Sequence, residues 1–405
     1  MTQKTTLHAC ELGMITQAAI NNITPILFVI FKDNFGISYT MIGALSLMNF
    51  ITQLATDWFA IGLVTRIGYR NAMVLAHISA ALGLLALGVL PGLIPVYAGL
   101  VISVIISAFG GGLLEVLNSP ITDSLDLGNS SARMSLVHSF YCWGQLVVVF
   151  ATTLAIKVFS PDIWYLSPLC WMILPIFNAF LFSKVPMPDI PAEESSKKPF
   201  SLFKSPTFVA MCTLMLCAGA AEITMAQWSS LFAQKGLGVD KFAGDLLGPC
   251  LFAVLMGLGR LYYGLRGEKL KLKKSLIYCS ILCIICYLVA AISENPYIAL
   301  MGCATTGLSV SLMWPGALSF SSKRLPTGGA AMFAFLALFG DAGCSFGSAL
   351  CGAISDYAVT LPQVIGFANT LGISPEQMGL KIGMGITIVF PLIMLIVLVN
   401  QKKRA

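Results

Sequence analysis

The feature that most constrains this chain is its series of long apolar stretches. About twelve of them approach the roughly 20 consecutive apolar residues that a helix needs to cross a bilayer. They lie at residues 10–31, 39–64, 70–90, 94–119, 132–158, 163–183, 206–233, 240–265, 272–292, 296–320, 328–356 and 379–399. Only 10% of the 405 residues are charged, against about 25% in soluble proteins. We therefore expect an all-α membrane protein with twelve transmembrane helices, surrounded by the lipid bilayer.

The composition also narrows the possible functions. A chain with so little charge is not expected to be a secreted enzyme or to bind nucleic acid. Its 12 cysteines fall mostly in apolar runs, as Cys279, Cys283 and Cys286 do, without disulfide or metal-ligand spacing. The sequence contains no catalytic constellation and no nucleotide-binding motif. We expect packing cysteines, no enzymatic activity, no metal and no cofactor.

The basic residues are distributed unevenly between alternate loops. If both termini are cytoplasmic, most of the 24 Lys and Arg residues fall on the cytoplasmic side, as the positive-inside rule requires. We therefore predict a multi-pass protein of the cell (inner or plasma) membrane with both termini in the cytoplasm. The net charge of +6 is then a signal of topology and not of an acidic partner. The first apolar stretch lacks a cleavage site, so we expect it to be retained.

A stretch rich in proline and charge separates the first six apolar stretches from the last six. It includes Pro186, Pro188, Pro191, Lys197 and Lys198, a composition that cannot form a membrane helix. We predict an N-terminal half over residues 1–184, a cytoplasmic linker over 185–205 and a C-terminal half over 206–405.

The two halves also share weak sequence similarities at a nearly constant offset. Phe35–Ser38 matches Leu237–Asp240, and Trp143-Gly144 matches Phe346-Gly347, both about 200 residues apart. Ser38 and Asp240 are predicted N-caps of the helices that follow them. Two pseudo-symmetric six-helix halves are typical of transporters whose substrate site lies near the midplane.

Several motifs make the resemblance to a known family specific. Arg66–Arg70 resembles a loop signature of the major facilitator superfamily, with Thr65 in place of its usual acid, and the second copy keeps Gly264, Glu268 and Lys269. Leu114–Pro120 and Gly219–Trp228 resemble segments of the fucose-permease-like proton symporters within that superfamily. One departure is that the span 1 sequence Asn21–Pro25 lacks the Asp that these symporters carry after an Asn pair.

The resemblance implies a fold of twelve helices and a secondary active transporter that works by alternating access. It implies proton-coupled symport of a small polar solute, a sugar or similar, by a monomer. The alternative on the same fold is an exporter or antiporter of hydrophobic drugs or metabolites, and the missing span 1 Asp keeps that alternative open.

Charged residues within the apolar stretches that are candidates for function are Asp57, Glu115, Glu222, Arg260 and Asp341. Each costs about 2.5–3.5 kcal/mol at the centre of a span, so such residues usually face a partner or a watery cavity. At 1.5 Å per residue, three of them lie at a similar depth near the cytoplasmic side. The predicted gating or charge network consists of Asp57, Arg66, Arg70, Arg260, Glu268 and Lys269. Purely structural pairing of these charges is the alternative.

Protons are the expected coupling ion, and three residues are candidates to carry them. Glu115 lies in the symporter-like motif of span 4. Asp341 and His138 occupy equivalent positions of the two halves, and His titrates near neutrality. The alternative is that Asp341 and His138 each form hydrogen bonds with nearby Ser, Tyr or backbone groups and carry no proton.

The predicted contacts with a small-molecule substrate combine an acid, carboxamides and aromatic rings, which suit a polyol. They are Glu222, Gln227, Trp228, Asn22, Asn118, Gln145 and Trp314. Residue counting places Glu222 beyond the midplane, away from Arg260, and helix packing is its alternative role. Arg260 is the one cation among the five charged candidates, so a neutral or weakly charged solute is favoured over an anion.

Overall fold

A computed structural model describes residues 2–127, 130–188, 199–266, 271–325 and 329–401, and every regular element in these ranges is helical. We number the membrane helices α1 to α12. They are α1 (Gln3–Phe35), α2 (39–67), α3 (69–89), α4 (Val96–Asp123), α5 (Ser130–Val158), α6 (Leu166–Lys184), α7 (Pro206–Gly236), α8 (241–266), α9 (Leu272–Ile292), α10 (Pro296–Arg324), α11 (Gly329–Ala358) and α12 (Pro375–Asn400). A short helix, Pro362–Thr370, lies between α11 and α12.

A single glycine separates α2 from α3 within an otherwise continuous helical stretch. Gly68 has φ 77° and ψ 161°, a region of backbone space that residues with a Cβ rarely adopt. The loop that resembles the family signature is therefore reduced to one sharp break, with Arg66 before it and Arg70 after it.

Large apolar side chains are exposed on the surface of the molecule, and several polar side chains are completely buried. Leu93, Phe159 and Ile292 are each more than 70% exposed, which would be costly in water. Asn178, Gln53 and Thr224 are completely buried. Eleven helices in the described ranges are long and apolar enough to cross a membrane, and α2 is the twelfth helix of the set. The predicted fold class, an all-α membrane protein with twelve transmembrane helices in two six-helix halves, is confirmed.

The chain forms two compact units. Unit 1 comprises residues 1–37 and 48–191, and unit 2 comprises residues 38–47 and 192–405. The first turns of α2 therefore belong to unit 2. The predicted domain boundaries at residues 184 and 206 stay predictions, and residues 189–198 of the predicted linker lie outside the described residues.

Unit 1 is built around α1, which carries small residues where other helices approach it. A Cβ on Gly144 of α5 would lie 3.0 Å from both the Ala18 Cβ and the Ile15 Cα atoms of α1. On another side of α1, Asn178 of α6 donates to the carbonyl of Ala9 at 3.0 Å and contacts His77 Nε2 at 2.8 Å. These helices are therefore held together by buried hydrogen bonds as well as by close packing.

Unit 2 has the same arrangement around α7. A Cβ on Gly347 of α11 would lie 2.8 Å from the carbonyl oxygen of Ala220, and one on Gly343 would overlap the carbonyl of Leu216. Gly347 and Gly144 are the glycines that the sequence comparison paired. Each allows the fifth helix of its half to pack against the first, so this repeat has a structural counterpart.

The other repeated motif also has a counterpart in each half. Gly36 (φ 63°) and Gly238 (φ 68°) are both left-handed, at the turn before α2 and the turn before α8. The predicted N-caps are confirmed, because Ser38 Oγ accepts from the Met41 amide at 3.2 Å and Asp240 Oδ2 accepts from the Ala243 amide at 3.0 Å.

Within unit 2, the start of α2 is held by groups far away in the sequence. The carboxylate of Asp356 accepts from the backbone amides of Tyr39 and Thr40 at 3.2 and 2.6 Å. The Tyr39 hydroxyl donates to Glu376 at 2.7 Å. A carboxylate at a helix N-terminus satisfies free amides and complements the helix dipole.

Candidate functional site

The first membrane acid lies in unit 1. Glu115 of α4 accepts a hydrogen bond from Gln17 Nε2 of α1 at 2.8 Å. Gln17 is 5% exposed, and its Oε1 atom is buried without a hydrogen-bond partner among the described residues. A carboxylate inside one membrane helix is therefore bonded to the neutral amide of another.

One turn along α1 from Gln17, a set of uncharged polar side chains forms a connected network. Asn21 Oδ1 accepts from Asn49 Nδ2 at 3.2 Å and from Gln53 Nε2 at 2.9 Å. Asn21 Nδ2 donates to the hydroxyl of Tyr141 at 3.4 Å. We call Asn21, Asn49, Gln53 and Tyr141 the amide cluster. It joins α1, α2 and α5 with groups that both donate and accept hydrogen bonds.

The three predicted substrate residues of unit 1 have different surroundings. Asn22 Nδ2 donates to the Ala18 carbonyl of its own helix at 2.8 Å, and Asn118 Nδ2 donates to the Cys10 carbonyl of α1 at 2.9 Å. The carboxamides of both side chains thus donate hydrogen bonds to backbone carbonyls. Gln145 of α5 is 1% exposed, and its Nε2 atom has no hydrogen-bond partner among the described residues.

The predicted charge network is only partly described. Arg66 is exposed and Asp57 is half-buried, while Arg70 Nη1 donates to the carbonyl of Phe182 in α6 at 3.0 Å. Glu268 and Lys269 lie outside the described residues. The gating role of this set stays a prediction.

The second membrane acid lies in unit 2 and forms an ion pair. Arg260 Nη2 of α8 donates to Glu222 Oε1 of α7 at 2.9 Å, with side-chain exposures of 19% and 9%. The prediction that these residues lie at different depths is therefore wrong. Residue counting fails here because α7 is longer than a bilayer requires, so its first residue does not mark the membrane boundary. Glu222 Oε2 is buried and has no hydrogen-bond partner among the described residues.

Gln227 and Trp228 of α7 both contact one serine of α11. Trp228 Nε1 donates to Ser348 Oγ at 2.8 Å, and Ser348 Oγ donates to Gln227 Oε1 at 3.2 Å. The Trp228 ring is completely buried and lies 6.2 Å from the Tyr39 ring. The geometry makes Trp228 a packing residue of unit 2 in this conformation.

The remaining predicted residues are divided between the two units. In unit 2, the Trp314 ring lies directly over Gly340, beside Asp341 in α11, and Asp341 is 2% exposed. In unit 1, His138 is exposed and its Nε2 atom lies 3.1 Å from Ser119 Oγ. The proton-coupling roles of Glu115, Asp341 and His138 stay predictions.

Asp245 is a buried acid that was not singled out from the sequence. Asp245 of α8 is 1% exposed, accepts from Ser230 of α7 and pairs with Lys241 at 3.0 Å. It lies between two π-helical turns, Phe232–Gly236 in α7 and Leu246–Cys250 in α8, and such turns often mark functional sites. The signal available in the sequence was a Lys and an Asp at i, i+4 near the start of an apolar stretch.

Solved structures that superpose on this chain include three transporters. A D-xylose-proton symporter superposes with a TM-score of 0.76 at 14% identity, covering 96% of this chain and 97% of that one. The nucleoside transporter NupG gives 0.75 at 12% identity, covering 96% and 99%. The E. coli fucose:proton symporter FucP gives 0.61 at 15% identity, covering 97% and 99%. At these identities the likeness shows the fold alone.

Comparison with curated proteins gives no significant match. A family model, in contrast, covers most of the sequence: the Major Facilitator Superfamily model matches residues 12–348. The twelve helices, the two six-helix halves and the equivalent glycines of α5 and α11 agree with that match. The chain belongs to the Major Facilitator Superfamily.

Proposed function

We propose that this protein is a secondary active transporter that moves a small neutral polar solute, a sugar or similar, together with protons by alternating access. The observation that carries the proposal is the hydrogen bond between Glu115 and the buried amide of Gln17. It places a protonatable group one helical turn from the amide cluster, because Gln17 and Asn21 share a face of α1. A proton site and a polar solute site in contact provide the basis for coupling.

The charges within the helices favour a neutral solute. Arg260 is engaged by Glu222, and Lys241 is engaged by Asp245. An anionic solute would have to compete with these carboxylates for its cation. The buried Oε2 atom of Glu222 and the indole of Trp314 are available in unit 2 to a solute that carries hydroxyl groups. Sugar-proton symporters and a nucleoside transporter among the structurally similar proteins agree with this class.

The proposal includes the setting in which the transporter works. The distribution of basic residues supports a place in the cell membrane with both termini in the cytoplasm. We propose a monomer, because each half carries its own polar groups for the solute. Asp341 and His138 remain candidates for carrying the proton besides Glu115.

Uptake into proteoliposomes tests the function. The purified protein is reconstituted and supplied with labelled hexoses, pentoses and ribonucleosides, with and without an inward proton gradient. Accumulation above equilibrium only with the gradient supports proton symport. Uptake that is indifferent to the gradient removes proton coupling, and transport of lipophilic cations alone supports the exporter of hydrophobic compounds instead.

A further inference from the structure

Three helices of unit 1 each carry a pair of uncharged polar residues at i, i+4. They are Gln17 and Asn21 on α1, Asn49 and Gln53 on α2, and Tyr141 and Gln145 on α5. Residues with this spacing share one face of a helix. The hydrogen bonds from Asn21 to α2 and α5 show that the three polar faces converge.

The hydrogen bonds among these side chains leave several of their polar atoms without a hydrogen-bond partner among the described residues. Asn21 Oδ1 already accepts two bonds, which is the full capacity of an amide oxygen. The Oε1 atoms of Gln17 and Gln53 and the Nε2 atom of Gln145 are buried with no hydrogen-bond partner among the described residues. These three side chains are at most 5% exposed. Buried polar atoms are usually satisfied, so three unsatisfied carboxamides around one network call for a ligand or water.

A glycine of α4 packs against the carboxamide of Gln53. A Cβ on Gly111 of α4 would lie 3.4 Å from the carboxamide carbon of Gln53 and 3.5 Å from its Nε2 atom. Any side chain larger than a methyl group at residue 111 would press on that amide. The pattern combines uncharged polar groups with a small neighbour, as a site for a compact polar molecule requires.

From these observations we propose that the amide cluster, with Gln17 and Gln145, binds the hydroxyl groups of the transported solute. The inference rests on the proposed function and assigns its substrate class: a neutral polyhydroxylated molecule with at least two neighbouring hydroxyls. Gln17 Oε1 and Gln53 Oε1 accept hydrogen bonds from hydroxyls, and Gln145 Nε2 donates one. An anion finds two acceptors facing it, and a cation cannot use the Gln145 donor, whereas a hydroxyl both donates and accepts.

The test measures binding to the full-length purified protein by isothermal titration calorimetry. The probes are neutral hexoses, pentoses and ribonucleosides, each with a monodeoxy analogue, and a uronate, succinate and tetraphenylphosphonium as charged compounds. Gln53→Met and Gln145→Met remove the polar atoms at nearly constant volume. Asn71→Ala is the matched control, because Asn71 is an exposed carboxamide of the same unit whose Nδ2 atom donates to the carbonyl of Ile67, four residues earlier, at 2.9 Å. Thermal melting of each variant confirms that it is folded.

The expected result is that wild type binds a neutral probe and loses tenfold or more in affinity when one of its hydroxyls is removed, since a buried polar group is then left unpaired. The Gln53→Met or Gln145→Met variant binds that probe at least tenfold more weakly and no longer distinguishes the deoxy analogue, while Asn71→Ala matches wild type.

Other outcomes separate the two proposals. Neutral probes bound equally by wild type and by both folded Met variants would overturn the amide site and leave the proposed function standing. Binding of only the charged probes, or of no probe, would overturn the proposed substrate class together with the site. If one Met variant fails to fold, Gln53→Asn or Gln145→Asn, which keeps the amide and shortens its reach, replaces it.

Discussion

At the scale of single residues, two glutamates in membrane helices accept hydrogen bonds from different kinds of group. Glu115 is held by the neutral Gln17, whereas Glu222 is held by the guanidinium of Arg260. Neutralising Glu115 removes a charge facing an amide that can still hydrogen-bond to the acid form. Neutralising Glu222 leaves a cation in a largely buried position. We propose Glu115 for repeated protonation and Glu222 for a fixed charge.

The Glu115→Gln substitution tests this assignment. A permanently neutral side chain of the same shape cannot carry a proton, so we expect gradient-driven accumulation to be lost while solute exchange across the proteoliposome membrane continues. Uptake and counterflow are measured on the same preparation. Loss of both activities in a normally folded variant would point to solute binding or to structure, and Glu115→Asp is the control that keeps the acid.

The Glu222–Arg260 pair permits a second test. Removing one partner leaves an uncompensated buried charge, so Glu222→Met or Arg260→Met alone is expected to cost about 3–5 kcal/mol of stability. The double substitution should recover most of that loss, because it leaves no charge behind. Thermal melting of the three variants gives the comparison. Additive losses in the double variant would argue against the ion pair, and each variant lacking Glu222 should also bind solute more weakly.

At the scale of helices, small residues decide which elements approach each other. Gly144 brings α5 against α1, and Gly347 brings α11 against α7. The sequence comparison paired these two glycines through their offset, and it also identified Ser38 and Asp240 as caps. It did not identify the Asp356 carboxylate that holds the start of α2, because residues 39 and 356 are distant in the chain. A helix cap can be recognised in the sequence because it lies next to its helix. A hydrogen-bond partner more than 300 residues away cannot, because only the tertiary fold brings it close.

The α7–α11 contact predicts a strong effect at Gly343. A Cβ there would overlap the Leu216 carbonyl, so Gly343→Ala must push the helices apart at a cost of about 1–3 kcal/mol. Gly366→Ala is the matched control, because nothing lies within 4 Å of its Cβ position. Removing glycine from a helix interior should stabilise the control by about 0.5–1 kcal/mol. Equal melting temperatures for the two variants would contradict the close contact.

At the scale of the whole molecule, the arrangement of apolar stretches and basic loops defines a topology. Eleven helices of the described ranges qualify as membrane spans, and α2 joins them. An even number of spans puts both termini on one side. From the positive-inside rule we propose that this side is the cytoplasm.

Reporter fusions test the orientation directly. Green fluorescent protein joined to the C-terminus should fluoresce in bacterial cells, since it folds in the cytoplasm, and alkaline phosphatase at the same position should stay inactive. Fusions after residue 93, in the loop between α3 and α4, should give the reverse result. The same activity pattern at both positions would contradict the topology.

The sequence alone determined the class, the number of spans, the division into halves and the family, because these depend on hydrophobicity, charge and local motifs along the chain. It also marked Glu115, Glu222 and Arg260 as charges that need an explanation. Only the tertiary structure decided their partners. Arg260 meets Glu222, Gln17 meets Glu115, and Asn21 connects three helices through the amide cluster. Hydrogen bonds between helices depend on rotation and crossing, which no one-dimensional pattern specifies.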